Sequence, residues 1–166
     1  FLDTHVQDDP TAEQIAEATL QATYRLKLFG IEPKVALLSH SNFGSHDTPG
    51  AQKMRKVREL LKQRVPKLEM DGEMQGDTAW DEMLRKRMMP NTTLSGRANL
   101  FVLPNIDAAN ITYNMVRVMT DGVAIGPILM GISKPVHILT SSATPRRVVN
   151  MTAIAAVDAQ IRAQQK

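Results

Sequence analysis

Ser39-His40-Ser41-Asn42-Phe43-Gly44-Ser45 gathers hydroxyl, amide and imidazole groups into one short stretch. Small hydrogen-bonding residues around a glycine, ahead of a helix opened by Pro49, suit a backbone that offers N–H groups to an anion. The spacing is neither that of a P-loop nor that of a dinucleotide fingerprint, so ordinary turn chemistry is an equal reading. Asp71-Gly72-Glu73-Met74-Gln75-Gly76-Asp77 is a second cluster. Its carboxylates could hold a hard cation. They lack the calcium-loop spacing, and Asp77 is placed to cap a helix at Thr78, which favours a structural role. Asn105 to Asn110 is a third candidate loop. Thr140 to Thr144 is a fourth, ahead of a last helix whose N-terminus is another natural anion site. His40 and His46 share a loop without a further spaced ligand, which argues against zinc. His137 interrupts an apolar run and reads as a hydrogen-bonded core or interface residue; His5 sits in a tail. Lys53, Arg55, Lys56, Arg58, Lys62 and Arg64 fall on one predicted helix. They read as a solvated face, with contact to the phosphates of a nucleotide tail as the sharper alternative. Arg85, Lys86 and Arg87 close another helix and suit its dipole.

The elements that would position these groups alternate. Asp9, Pro10 and Thr11 open a first helix, with Asp9 as cap and Pro10 where a missing N–H costs nothing. Ile15, Ala18, Ala22 and Leu26 give it one apolar face, and Gly30 stops it. Lys34–Ser39 reads as a strand covered on both faces. Helices are predicted from Pro49 to about Arg64, Thr78 to Met89, Asp107 to Met119 and Pro145 to Gln164. Further strands are predicted at Leu68–Met70, Leu100–Leu103, Val123–Ile125 and Val136–Leu139. Strand–helix alternation along the whole chain predicts an α/β fold, a mostly parallel sheet between helical layers. Ligands of such sheets bind beyond the carboxyl ends of the strands, where the candidate loops lie.

Composition narrows the function. The net charge of +3 is compatible with an anionic ligand but does not call for nucleic acid. Aromatic residues are only 4%, too few for base-stacking surfaces. The ten methionines read as flexible core fillers. With no cysteine, disulfides and thiolate metal sites are excluded. No apolar run reaches the about 18–20 residues needed to span a bilayer, and the acidic start, with Asp3, Asp8 and Asp9, is unlike a signal peptide. A cytoplasmic location without membrane attachment is expected. The start at Phe1 reads as a piece cut from a longer polypeptide.

Ser95 to Gln160 resembles the closing half of the phosphotransacetylases, which exchange an acetyl group between coenzyme A and phosphate. Asp71, Gly72, Gln75, Asp77 and Ala79 match that family's Asp-Gly-x-x-Gln-x-Asp-x-Ala segment. Ala98, Asn99, Pro104 and Asn110 match another, and Gly126-Pro127-Ile128-Leu129 and Gly131 a third. The resemblance implies a phosphotransacetylase-like three-layer α/β/α fold, related to that of isocitrate and isopropylmalate dehydrogenases. It also implies that residues 1–134 belong to a second domain, while 135–166 return to a first domain whose opening half is absent. The family's reactive turn reads Pro-Val-Asn-Asp-Leu-Ser-Arg-Gly. Here it is Pro135-Val136-His137-Ile138-Leu139-Thr140-Ser141-Ser142. Thr140 takes the serine's place, Ser141 that of the arginine, and Arg147 falls near a family carboxylate. Acetyl transfer needs cations that neutralise two anionic partners, so a chain without them is expected to keep the fold and lose the reaction.

Leu38 to Ser45 and Ile138-Leu139-Thr140 resemble one branch more closely, the C-terminal phosphotransacetylase-like domains of bacterial NADP-dependent malic enzymes. That resemblance implies an upstream catalytic part using NADP and a divalent metal to convert malate to pyruvate and CO2. It implies a domain that binds acetyl-CoA as an allosteric inhibitor and assembles subunits, at least as a homodimer. For such a ligand Ser39, Asn42 and Ser45 offer donors at the first loop, Arg97 a contact to phosphate or else a surface pair, and Asn99, Asn110, Thr140 and Ser141 complete the expected set, with no catalytic or metal-binding residue. Asn99 and Asn110 read equally as backbone braces. The alternatives are an active acetyl- or butyryltransferase half-domain and an assembly scaffold alone.

Overall fold

The computed structural model describes residues 1–120, 122–141 and 143–164. Ser142, part of the turn singled out above, lies outside the described residues. Residue contacts divide the chain into two units, Phe1–Asn114 and Met115–Lys166, and each is described by itself.

In the first unit, β1 (Val35–Leu38), β2 (Met70–Met74) and β3 (Leu100–Val102) form a parallel sheet in the order β2-β1-β3. Every residue of β1 is buried, as an unalternating Val-Ala-Leu-Leu run at the centre of a sheet requires. Two helices, α1 (Ala12–Leu28) and α2 (Pro49–Arg64), pack on each other and on one face of the sheet. Ile15, Ala16 and Ala22 of α1 and Met54, Val57 and Leu61 of α2 are buried there. On the other side Ala36 and Leu38 join a cluster with Met74, Ala79, Leu94, Leu103 and Ala109. Ala79 comes from the short helix α3 (Gly76–Trp80) and Ala109 from α5 (Ile106–Met119). A second short helix, α4 (Glu82–Met88), lies between α3 and β3. The first unit is thus a small parallel sheet flanked by helices, the α/β class expected.

Several local expectations change. The cap of α1 is Thr11, not Asp9. Thr11 Oγ1 accepts from Gln14 N at 3.3 Å and Gln14 Oε1 accepts from Thr11 N at 2.8 Å, a reciprocal pair that satisfies two helix-start amides. Asp9 instead holds Lys53 Nζ at 2.6 Å. The stretch Asp71 to Met74 is buried strand rather than loop, because arginines of α2 neutralise its carboxylates. A Cβ on Gly72 (φ +141°) would lie 2.5 Å from Leu37 O, so only glycine lets β2 approach β1 here. The predicted helix Thr78–Met89 is broken at Asp81, whose carboxylate accepts from Met83 N and Leu84 N and starts α4. Asp77 lies one residue inside α3 rather than before it, and accepts from Thr78 N at 2.7 Å. Arg85 is not a dipole-facing end residue. It is fully buried and donates to the carbonyls of Thr78, Ala79, Leu94 and Gly96, tying α3 to the segment before β3.

The second unit contains the end of α5 and the long helix α6 (Pro145–Gln164), whose bounds match the sequence. Val123–Ile125 and Val136–Leu139 do not form strands. A strand exists only with a ladder partner, and none pairs with them among the described residues. Val136 and Ile138 are exposed while His137 and Leu139 are half-buried, the alternation of a strand without its sheet. Within this unit Arg162 Nη1 donates to Ile132 O at 3.0 Å and His137 Nδ1 accepts from Leu129 N at 3.3 Å. No helix among the described residues is long and apolar enough to cross a membrane.

Candidate functional site

The loop that leaves β1 stands at the carboxyl edge of the sheet and ends at Thr48, the N-cap of α2. Its shape is set from below by Glu73, which is 1% exposed. Glu73 Oε1 accepts from Ser41 Oγ at 2.8 Å, Gly44 N at 2.8 Å and Arg55 Nη1 at 2.9 Å. The Glu73 carbonyl accepts from Phe43 N at 2.8 Å, while Phe43 itself takes a left-handed φ of 48°. Glu73 Oε2 is buried with no hydrogen-bond partner among the described residues.

Asn42 and Gln75 lock the loop sideways. Asn42 Nδ2 donates to Gln75 Oε1 at 3.0 Å and Gln75 N donates to Asn42 Oδ1 at 2.8 Å. Ser45 Oγ accepts from Asn42 N at 2.9 Å, and Ser39 Oγ accepts from Ser41 N at 3.2 Å. Ser39, Asn42 and Ser45 thus stand in one loop, with Asn42 and Ser45 bonded to each other and Ser39 to Ser41. The amides of Ser39, Ser41, Asn42, Phe43, Gly44, Ser45 and His46 all donate within the protein. The loop is thus not an open cradle of amides. What it turns outward is side-chain chemistry: hydroxyls, two imidazoles with centroids 5.4 Å apart, and one edge of Arg55.

Asp71 makes a second buried anchor, 1% exposed, accepting from Arg58 Nε at 3.0 Å, Thr92 Oγ1 at 2.7 Å and Thr93 N at 2.9 Å. Five of the six basic residues of the run on α2 carry acidic partners. Arg55 and Arg58 pair with strand carboxylates, and Lys53, Lys56 and Arg64 pair with Asp9, Glu13 and Glu17. The Lys56 hydrogen bond is the main cause holding the Glu13 carboxyl below the ordinary glutamate range. The Asp71–Asp77 stretch gathers no metal-binding cluster, and none occurs among the described residues.

Three other predicted residues act as braces or stand apart. Asn99 precedes β3, at the amino edge of the sheet, away from the loop. It accepts from Lys34 N at 2.7 Å and donates to Glu32 O at 2.9 Å. Asn110 donates to Thr4 O at 3.0 Å and accepts from Asn114 Nδ2. Arg97 is exposed, with its guanidinium 5.0 Å from the centre of the Trp80 ring.

A family model, phosphate acetyl/butaryl transferase, matches residues 1–156. The chain belongs to this family. Over 159 residues it is 55% identical to an NADP-dependent malic enzyme of Escherichia coli, covering 95% of this chain and 21% of that protein. It is 53% identical over 158 residues to an NAD-dependent malic enzyme of Rhizobium meliloti, covering 95% and 20%. A phosphotransacetylase from Streptococcus pyogenes superposes with a TM-score of 0.88 at 34% identity, over 93% of this chain and 47% of that one. The chain spans about a fifth of the length of these malic enzymes. It is homologous to part of them and shares the phosphotransacetylase fold.

In the second unit, Thr140 and Ser141 occupy an exposed turn before α6. Thr144 caps that helix, accepting from Arg147 N at 3.3 Å, and Arg147 Nε donates to Gly126 O at 2.8 Å. The first turn of α6 carries no acid and two arginines, Arg146 and Arg147. Cations at a helix start oppose the dipole, so this end of α6 is strongly positive. Sequence reasoning missed Glu73, Arg55 and Gln75 as organisers of the first loop. The available signal was carboxylates two apart, at 71 and 73, opposite arginines three apart, at 55 and 58. Two apart is one face of a strand and three apart one face of a helix.

Proposed function

We propose that this chain is the regulatory and oligomerisation domain of a malic enzyme, binding acetyl-CoA as an allosteric inhibitor without transferring its acetyl group. The observation that carries the proposal is the turn before α6. It offers Ser141 where the phosphotransacetylases present a guanidinium, and Arg147 stands near the place of a carboxylate. Losing charge stabilisation of this kind costs about 3–4 kcal/mol in a transition state. A fold retained without its reactive cation suits a sensor better than a catalyst. The higher identity to malic enzymes than to the solved phosphotransacetylase supports the same reading.

In the first unit, acetyl-CoA would meet the side chains of Ser39, Asn42 and Ser45 at the loop that leaves β1. Asn99 and Asn110 would act through the backbone they brace. The absent catalytic part would hold the nicotinamide cofactor and the divalent metal, and residues 135–166 would join structure supplied by that longer polypeptide. Inhibition requires only that acetyl-CoA bind the inactive arrangement more tightly, with a coupling of about 1–3 kcal/mol. Malate oxidation by the full-length protein should fall as acetyl-CoA is titrated, while no free thiol forms from acetyl-CoA and phosphate. Steady thiol release would overturn the proposal in favour of an active transferase. Unchanged malate oxidation with no bound acetyl-CoA would reduce the domain to a scaffold.

A further inference from the structure

Arg55 is held in an unequal grip. Its inner Nη1 is fixed at 2.9 Å by Glu73, whose side chain is 1% exposed, and its outer Nη2 is held by Asp47, whose side chain is 73% exposed. The guanidinium is thus anchored from the protein side and closed on the solvent side by a displaceable carboxylate. An ion pair with an exposed carboxylate is weaker than one with a buried carboxylate, so the outer grip is the one that yields. Glu73 also ties Arg55 of α2 to the loop, because its Oε1 accepts from Ser41 Oγ, which in turn accepts from the His46 amide. Because the loop amides from Ser41 to His46 already donate within the protein, the donor this edge offers an anion is a side chain, the Arg55 guanidinium, rather than a backbone amide.

We infer that Arg55 is an anion receptor for a phosphate group and that Asp47 occupies the receptor in the free protein as an internal stand-in. A carboxylate and a phosphate oxygen accept the same guanidinium N–H bonds, so an arriving phosphate displaces Asp47 and leaves Glu73 in place. Displacement has a cost, so the free protein binds phosphate more weakly than Arg55 alone would allow. This inference deepens the proposal above and rests on it for the location of the ligand face only. The phosphate can come from the nucleotide tail of a coenzyme A ester or from free inorganic phosphate.

Calorimetric titration of the full-length protein with inorganic phosphate, and separately with acetyl-CoA, tests it. Asp47→Asn should tighten inorganic phosphate at least threefold, and Arg55→Lys should weaken it at least threefold. Asp9→Asn removes the same charge from the partner of Lys53 and should change the affinity by less than 1.5-fold. No tightening in Asp47→Asn, an equal gain in Asp9→Asn, or no detectable phosphate binding in either protein would overturn the inference. The guanidinium NMR signals of Arg55 give a second reading; they should shift on adding phosphate, and unmoved signals under saturating phosphate would also overturn it. If acetyl-CoA tightens in parallel, the tail phosphate uses the receptor. If only inorganic phosphate responds, free phosphate is the ligand. Failure of acetyl-CoA to bind, beside a phosphate response that depends on Asp47, would sink the acetyl-CoA proposal and leave this inference standing.

Discussion

At the scale of single residues, the first unit is specified by a few groups whose surroundings allow no substitute. Gly72 is the clearest case. Its φ of +141° is one that L side chains rarely adopt, and an added Cβ would lie 2.5 Å from Leu37 O and 2.8 Å from Leu37 Cβ. Relief would require β2 to move away from β1, breaking the ladder that carries both Asp71 and Glu73. Gly72→Ala should therefore cost about 3 kcal/mol or more, the sum of backbone strain and overpacking. Urea denaturation read by circular dichroism checks this, and a loss below 1 kcal/mol would mean that the strand contact is softer than its geometry. Arg85 belongs to the same class. Its guanidinium is solvated by four carbonyl oxygens, which explains how a residue written as a helix-end cation comes to be fully buried.

At the scale of elements, strands and helices are tied at both edges of the sheet by carboxylates. At the amino edge Glu69 accepts from Ser95 N at 2.7 Å and Ser95 Oγ at 2.6 Å, with Lys34 Nζ at 3.7 Å. Burial acts to raise the Glu69 carboxyl, but the Ser95 bonds and Lys34 outweigh it and hold it below the ordinary range. A carboxyl lowered on folding contributes stability above its unfolded value of about 4.3, and that contribution is lost as pH falls through the folded value. Glu69→Gln should thus cost about 1 kcal/mol at pH 7, and the two melting curves should converge as pH drops below about 4. A gap that stays constant from pH 7 down to acid unfolding would show that packing, not charge, makes the tie. Elements whose cause is local were legible in the sequence. The bounds of α2 and α6 follow from Pro49, Pro66 and Pro145, and β1 follows from its apolar run. Elements whose cause is tertiary were not. Asp71 and Glu73 read as loop because carboxylates avoid strands until Arg55 and Arg58 arrive from another element. The break at Asp81 was hidden because Thr78–Met89 carries no proline or glycine. Composition singled out the loop of Ser39, Asn42 and Ser45 but not Glu73, which shapes it.

At the scale of the whole chain, the two units differ in how much they bury. The first holds nearly all the buried apolar side chains; in the second, among the described residues, Met151 is the buried apolar one. Val123, Ile125, Val136, Val149 and Val157 are exposed there, and Ile138 reaches 68%. Apolar exposure on this scale is unfavourable in water and marks surface meant to be covered. The segment from Val136 to Leu139 also alternates exposed and half-buried side chains, the pattern of a strand in a sheet. Local opening free energy follows buried contacts and shielded hydrogen bonds. In the isolated 166-residue chain, amides of β1 and β2 should therefore be the slowest to exchange with deuterium. Amides of α6 should exchange at least 100-fold faster. If the proposed malic enzyme assembly covers the apolar side chains of α6, protection of α6 in that assembly should rise toward that of β1. Equal protection of both units in the isolated chain would show that the second unit is already complete, and its exposed valines and isoleucines would then need another explanation.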